Sequence, residues 1–350
     1  MIYDVIVIGA GQAGLSMSYY LEKEKLNYLV LDKRKEVGQT WQERYDSLVL
    51  FTPRLYNALP GKPWNESPHS YPTKNEVVTY LKDYAQAYVS GIQLETEVKS
   101  LKKVDDLFSI QTNHGQYISR NVVVATGPFS TPNIPIVASN LDSTILQMHS
   151  TQYKNTAQLQ EGDVLVVGGG NSGVQIAVDI AKERKVHLAI SSSSLTYLPL
   201  SIAGKSIFWW FKKLGILNVS RESLIAKKIQ KRGDPIFGFE SKDLIKQGHI
   251  TLHPRVSTTG GIAIEFENQT SIQPSNVIWA TGFRHDYNWI NLQGIKDQTG
   301  YPKHTRGITS CKGLYFLGLP WQHTRGSALL QGVGNDAHFI YRAIMKNSTR

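Results

Sequence analysis

Two glycine-rich turns of the same spacing divide this chain, and each lies between a run of apolar residues and a helical segment. Gly9-Ala-Gly11-Gln-Ala-Gly14 follows Val5-Ile-Val-Ile8, and Gly168-Gly-Gly170-Asn-Ser-Gly173 follows Val164-Leu-Val-Val167. A short β-branched run ended by glycine reads as a buried parallel strand. Strand, G-x-G-x-x-G turn and helix make a cradle for a dinucleotide pyrophosphate. The first glycine permits the tight turn, the second lets backbone approach the phosphates, and the third lets helix pack on strand. The helix N-terminus adds unpaired N–H groups and a partial positive charge. Two such turns on one polypeptide imply two dinucleotides, which suits transfer of electrons from a nicotinamide to a flavin.

The two copies differ beyond their second strands. In the first, Tyr28-Leu-Val-Leu31 ends at Asp32, 21 residues after Gly11, where a carboxylate can accept ribose hydroxyl protons. In the second, His187-Leu-Ala-Ile190 is followed by Ser191-Ser-Ser-Ser194. Neither a carboxylate for a ribose diol nor an arginine for a 2′-phosphate stands there. Ser191 and Ser192 can hydrogen-bond either group, so the choice between NADH and NADPH stays open.

A chain of 350 residues is long enough for two domains and two cores. With 41% hydrophobic and 19% charged residues it has the composition of a soluble globular protein. No apolar run approaches the roughly 20 residues of a membrane span, and Asp4, Gly9 and Gly11 interrupt the start where a signal peptide would be apolar. Cys311 is the only cysteine, which excludes a dithiol mechanism and points to the cytoplasm. The histidines show no metal-ligand spacing. The net charge of +10 is concentrated between Lys205 and Arg232, where eight basic residues accompany Glu222 alone. The same stretch holds Ile207-Phe-Trp-Trp-Phe211. It reads first as a helical cap over a pocket or as a subunit contact, as in a homodimer. The rival reading is peripheral contact with a membrane surface. No nucleic-acid motif accompanies the charge.

Along the chain, helices are expected over 11–24 and 73–87, with an irregular, function-bearing loop from Gly38 to Pro72. Strands are expected around Leu94–Leu101, Leu107–Thr112, Gln116–Ile118 and from Asn121 into Thr126-Gly127. The second unit begins near Gln158, and 204–250 reads as largely helical. Val277-Ile-Trp-Ala-Thr281-Gly282 then echoes the earlier Ala-Thr-Gly, before a strand at Leu314–Leu317 and a helix from Ser327. The expected fold is α/β, with two Rossmann-like dinucleotide-binding domains of glutathione-reductase-like flavoprotein architecture. The NAD(P)-binding domain (156–275, with the helical insertion at about 204–250) is inserted in the FAD-binding domain (1–155 and 276–350).

Taken in order, these motifs resemble the flavin-containing monooxygenase superfamily, in its branch of bacterial flavoproteins and plant YUCCA-type enzymes. Gly38-Gln-Thr-Trp41, Arg44-Tyr-Asp-Ser-Leu48, Tyr71-Pro-Thr-Lys74, Ala125-Thr-Gly127, Gly170-Asn-Ser-Gly173, Ala280-Thr-Gly-Phe283 and Gly318-Leu-Pro-Trp321 through Arg325-Gly-Ser-Ala328 carry the resemblance nearly end to end. It implies FAD at the first turn, on Gly9, Gly11, Gly14, Asp32 and Lys33. Gly38, Gln39, Thr40, Trp41 and Thr52 would approach the flavin part, and Val98 would offer its backbone to the adenine. NAD(P)H would lie at Gly168, Gly170, Asn171, Ser172 and Gly173, with Ser191 and Ser192. Thr126, Gly127, Thr281 and Gly282 would be the crossings between domains. Read singly, His323, Arg325 and Gln331 are candidates to line the flavin ring as catalytic residues, the alternative being ordinary loop and helix polar groups; Asn57 and Trp64 are candidates to face substrate, the alternative for Asn57 being a turn role. The last helix would aim its N-terminus near Ser327 at the flavin.

The sequence departs from that family's pattern. Its F-x-G-x-x-x-H-x-x-x-(Y/F) signature survives only as His149 and Tyr153, with Ser143 and Ile145 in place of Phe and Gly. Ser192 replaces an arginine that often reads NADPH, and Phe51 stands where an active-site Asn is expected. The resulting expectation is an FAD-dependent NAD(P)H monooxygenase that oxygenates a small soft nucleophile, a sulfide or amine, with dioxygen through a flavin C4a-hydroperoxide. The alternatives are an NAD(P)H-flavin reductase or oxidase, and a redox-sensing flavoprotein linked to ion transport.

Overall fold

The computed structural model describes residues 1–129, 131–192 and 194–348. The opening strand, Ile2–Ile8, alternates its side chains between two cores, as the period of a strand requires. Val5 and Val7 face the helices Gln12–Lys23, Lys74–Tyr88 and Leu330–Ser348. Ile6 and Ile8 face the layer containing Phe108, Ile110, Tyr287 and Ile290. Valine or isoleucine buried this fully contributes roughly 1.5–3 kcal/mol each, which explains the near absence of polar residues in this strand.

The first sheet runs Ile92–Gln93, Tyr28–Leu31, Ile2–Ile8, Gly115–Val124, Leu107–Thr112, Val98–Val104. The expected separate strands near 116–118 and 121–126 are one strand, Gly115–Val124. That strand changes partner along its length. Its first half pairs antiparallel with Leu107–Thr112, and Val122–Val124 pair parallel with Leu314–Phe316. The strand expected from Leu94 starts only at Val98, because Glu95 turns the chain with a φ of 52°. Thr73 caps the helix Lys74–Tyr88 in a reciprocal capping box with Glu76, whose carboxylate accepts the Thr73 N–H at 2.7 Å.

The second sheet is wholly parallel, in the order Ile250–His253, Val186–Ala189, Val164–Val167, Asn276–Trp279, Leu146–His149. Leu146–His149 and Asn276–Trp279 therefore belong to the second sheet, although both fall outside the expected 156–275. The two crossings between sheets lie side by side, as Thr131–Pro132 pairs antiparallel with Phe283–Arg284.

The stretch 204–250 is less helical than its composition suggests. It holds the helices Ile207–Lys213, Leu224–Arg232 and Glu240–Lys246, separated by a short 3-10 turn and by Ile236–Phe237, which pairs with Tyr197–Leu198. Pro235 lacks the N–H that would extend the second helix. Near the C-terminus the expected helix from Ser327 is a 3-10 turn, Arg325–Ala328, and the α-helix begins at Leu330. Ser327 is fully buried, and its hydroxyl accepts the N–H groups of His323 and Thr324, each at 3.0 Å, which holds the tighter turn. Among the described residues no helix is long and apolar enough to cross a membrane.

Candidate functional site

The two glycine turns are built alike to the level of single atoms. A Cβ on Gly9 would lie 2.5 Å from the carbonyl oxygen of Ala125, and one on Gly168 would lie 2.2 Å from that of Ala280. Each first glycine is thus pressed against the alanine of an Ala-Thr-Gly crossing. A Cβ on Gly14 would lie 1.8 Å from the Gly9 oxygen, and one on Gly173 would lie 2.0 Å from the Gly168 oxygen. The middle glycines, Gly11 and Gly170, face open space instead. The outer glycines serve the packing of helix on strand, and the middle ones leave room for a ligand, as the spacing predicts.

Asp32 closes the first turn. Its carboxylate accepts the Ala10 N–H at 2.6 Å and the Arg34 N–H at 2.8 Å, so the side chain is fixed before any ligand arrives. Each oxygen keeps a further lone pair for a ribose hydroxyl. One cavity of about 480 Å³ starts here. Of the expected cofactor residues, Gly9, Gly11, Asp32, Lys33, Gly38, Gln39, Thr40, Trp41, Thr52, Val98, Thr126, Gly127, Asn171 and Ser172 line it. Gly14, Gly168, Gly170 and Gly173 are not among its lining residues. Ser191 and Ser192 are exposed and away from the cavity, the Ser192 hydroxyl donating to the Ser194 carbonyl at 2.9 Å. Ser193 of the same run lies outside the described residues. Thr281 and Gly282 hold the crossing: the Thr281 hydroxyl donates to the Asn133 carbonyl, and the Asn133 N–H donates to the Gly282 carbonyl at 3.0 Å.

The three expected catalytic residues do not reach this cavity. Arg325 donates from Nε to Asp234 at 2.9 Å and lies 5.5 Å from the centre of the Phe237 ring, so it fastens the insertion to the C-terminal turn. His323 accepts the Arg221 N–H on its carbonyl, and burial, with Arg306 nearby, pulls its imidazole below the ordinary pKa of 6.5. Gln331 stands on the first turn of the last helix, while Ala328, Leu329 and Leu330 take the cavity wall. Of the two substrate candidates, Asn57 lines the cavity but turns its amide to the Thr52 carbonyl at 2.6 Å. Trp64 is packed away from it, stacked on Tyr80 at 4.2 Å, with its N–H donated to the Asn57 carbonyl.

Sequence reasoning did not single out Gln12, which ties three segments of the site together. Its amide donates to the Ala328 carbonyl at 3.0 Å and accepts the Trp41 indole N–H at 3.0 Å. The signal was its place between the glycines of the first motif. The pairing of Tyr45 with Gln175 was equally hidden: the Tyr45 hydroxyl, from the first domain, donates to Gln175 on the second domain's first helix. Burial raises the Tyr45 pKa, so the hydroxyl keeps its proton.

His149 and Tyr153, the surviving pair of the family signature, hold the second domain together. The His149 Nε2–H donates to the Gly282 carbonyl at 3.0 Å, Nδ1 accepts the Thr151 N–H, and burial pulls its pKa down. The Tyr153 hydroxyl donates to Asp179 at 2.9 Å. The insertion caps the site through rings: Phe51, in the cavity wall, stacks on Phe237 and lies near-parallel to Phe208, 6.3 Å away.

Comparison with known proteins places this geometry. Residues 6–199 match the family model described as pyridine nucleotide-disulphide oxidoreductase. "Uncharacterized oxidoreductase CzcO" of Bacillus subtilis (strain 168) is 54% identical over 340 residues, covering 97% of this chain and 98% of that protein. "Probable indole-3-pyruvate monooxygenase YUCCA8" of Arabidopsis thaliana is 26% identical over 388 residues, covering 99% of this chain and 91% of the plant protein. A substituted form of the flavin monooxygenase from Stenotrophomonas maltophilia superposes with a TM-score of 0.81 at 25% identity, over 99% of each chain.

Proposed function

Since the chain belongs to the pyridine nucleotide-disulphide oxidoreductase family, within the flavin monooxygenase superfamily, we propose that it is a cytoplasmic FAD- and NAD(P)H-dependent monooxygenase acting on a small soft nucleophile, a sulfide or an amine. It is a flavin-dependent oxidoreductase. The family's name does not extend to dithiol chemistry here, because Cys311 has no partner cysteine and burial raises its thiol pKa.

The observation that carries the proposal is the continuity of this cavity between the two turns. It runs from Gly11 and Asp32 at one dinucleotide turn to Asn171 and Ser172 at the other, past Phe51 and Asn57. The residues fit two dinucleotides: both middle glycines are open, both helices present free N–H groups at their N-termini, and Asp32 is fixed at the ribose position. Bound FAD supplies acceptance of a hydride from the nicotinamide and activation of dioxygen. The chain's own residues place and shield that chemistry. Gln12 and Trp41 hold the floor, Ala328 to Leu330 close one side, and the stacked rings of Phe51 and Phe237 exclude water from another. No side chain need serve as a nucleophile.

Absorption spectra of the purified protein, followed by anaerobic titration with NADH and NADPH, test the reading. Flavin bands that bleach on titration support it, and protein that stays colourless after incubation with FAD defeats it. Aerobic turnover with a sulfide or amine should then give an oxygenated product. A second reading, NAD(P)H oxidase, is favoured by Phe51 standing where the resemblance expects an asparagine, since the ring offers no hydrogen bond there, and the ratio of peroxide to oxygenated product separates the two.

A further inference from the structure

We infer that Arg44, a residue of the first domain, binds the pyrophosphate of the nicotinamide dinucleotide from across the domain boundary; the inference rests on the cofactors proposed above. Arg44 lies just beyond the short helix Gln39–Gln42 and lines the shared cavity. Its guanidinium carbon lies 5.5 Å from the centre of the Phe129 ring and 5.3 Å from that of Phe283. Those two rings meet edge to face at 5.3 Å. Among the described residues the guanidinium makes no hydrogen bond and has no carboxylate within ion-pair reach. Arg34, Arg54, Arg306 and Arg325 are, by contrast, each paired with a carboxylate.

A cation in this position is costly unless an anion joins it. Burial already works against its charge. The rings attract the cation through their faces, whereas its hydrogen bonds leave from the edge of the guanidinium plane. The clamp therefore orients Arg44 without using its five N–H donors. Such a fork is matched by phosphate oxygens.

The surroundings identify which phosphate. Tyr45, the next residue, donates its hydroxyl to Gln175 on the second domain's first helix, and Asn171 and Ser172 of that helix line the same cavity. Phe129 and Phe283 follow the two Ala-Thr-Gly crossings. Arg44 thus shares one cavity with Asn171 and Ser172 of the turn Gly168–Gly173, where the motif itself supplies only backbone N–H groups and neutral side chains. The FAD pyrophosphate has its own turn at Gly9–Gly14. An arginine lent by one domain to a nucleotide held on the other also fixes their relative placement while the nucleotide is bound.

The test is calorimetric titration of FAD-loaded protein with NADP+ and with NAD+. R44Q should weaken both dinucleotides by about 10- to 100-fold, since both carry the pyrophosphate and a charge-assisted pair is lost. Arg44→Lys, which keeps the charge but not the planar fork, should fall between. Unchanged affinity in R44Q overturns the inference. So does a loss confined to NADP+, which would place Arg44 on the 2′-phosphate, or a loss confined to turnover, which would place it on substrate. If R44Q fails to retain FAD, Arg44→Lys carries the same comparison, and unchanged affinity there overturns the inference. Wild-type protein that holds FAD but binds neither dinucleotide would defeat the functional proposal itself, whatever the variants do.

Discussion

The ring of Phe51 lies flat on that of Phe237, with centroids 4.4 Å apart and planes inclined by 13°. Phe51 belongs to the cofactor loop and Phe237 to the insertion, so this contact seals one wall of the cavity. Phe51→Ala removes a stacking interaction of about 0.5–1.5 kcal/mol beyond the area it buries and admits water. The expected result is more peroxide released per NAD(P)H oxidised, at unchanged flavin content. Parallel assays of peroxide and nicotinamide absorbance measure it, and an unchanged peroxide fraction would show that the ring is no seal.

Gly11→Ala and Gly14→Ala should fail in different ways. A methyl at Gly11 meets nothing within 4 Å, and the residue's φ of −77° suits alanine, so the apoprotein should keep its thermal midpoint while FAD affinity drops. A methyl at Gly14 would lie 1.8 Å from the Gly9 oxygen, so this variant should misfold or melt early. Melting curves with and without FAD distinguish the two, and equal midpoints for both apoproteins would refute the assignment of roles.

Acid should destabilise the second domain through His253. Burial, with His187 adjacent, pushes its pKa from 6.5 down to about 4. Between those values the unfolded chain binds the proton and the folded protein does not, so stability is full above pH 6.5 and falls as the pH drops toward 4. His253→Gln removes this titration, and the difference between its urea midpoints at pH 7 and pH 5 should shrink. The residual slope belongs to groups such as His304, also held near 4 by burial.

Nicotinamide preference should respond to Ser192. Its exposed hydroxyl donates to the Ser194 carbonyl, and the second strand of this unit ends in no carboxylate. Ser192→Arg should favour NADPH over NADH by about tenfold, the effect of one charge-assisted contact to the 2′-phosphate. The ratio of kcat/KM for the two nucleotides reads it directly, and no change in that ratio would remove Ser192 from the ribose site.

The turns could be read from sequence because close backbone approach dictates their residues: only glycine fits between Ala125 and the Gly9 turn, and the same holds at Ala280. Asp32 was legible for a similar reason, since the length of a strand–helix–strand unit fixes its place. His323, Arg325 and Gln331 were not legible as to where they point. Arg325 is drawn to Asp234, 91 residues away, and no local pattern announces that pair. The direction of Trp64 was not legible either, because it is decided by Tyr80, on a helix that starts ten residues further on. The insertion was read as helical from composition, yet Pro235 and the pairing of Ile236–Phe237 with Tyr197–Leu198 break it.

The paired crossings Thr131–Pro132 and Phe283–Arg284 have a genetic corollary. Everything from 133 to 282 leaves and returns at neighbouring points, with Pro132 opposite Phe283, a separation of roughly 5 Å between Cα atoms. A gene lacking that block, its ends rejoined by a few codons, would still encode every strand of the opening sheet. The nicotinamide module could thus be exchanged for another as a cassette, with a single seam to design.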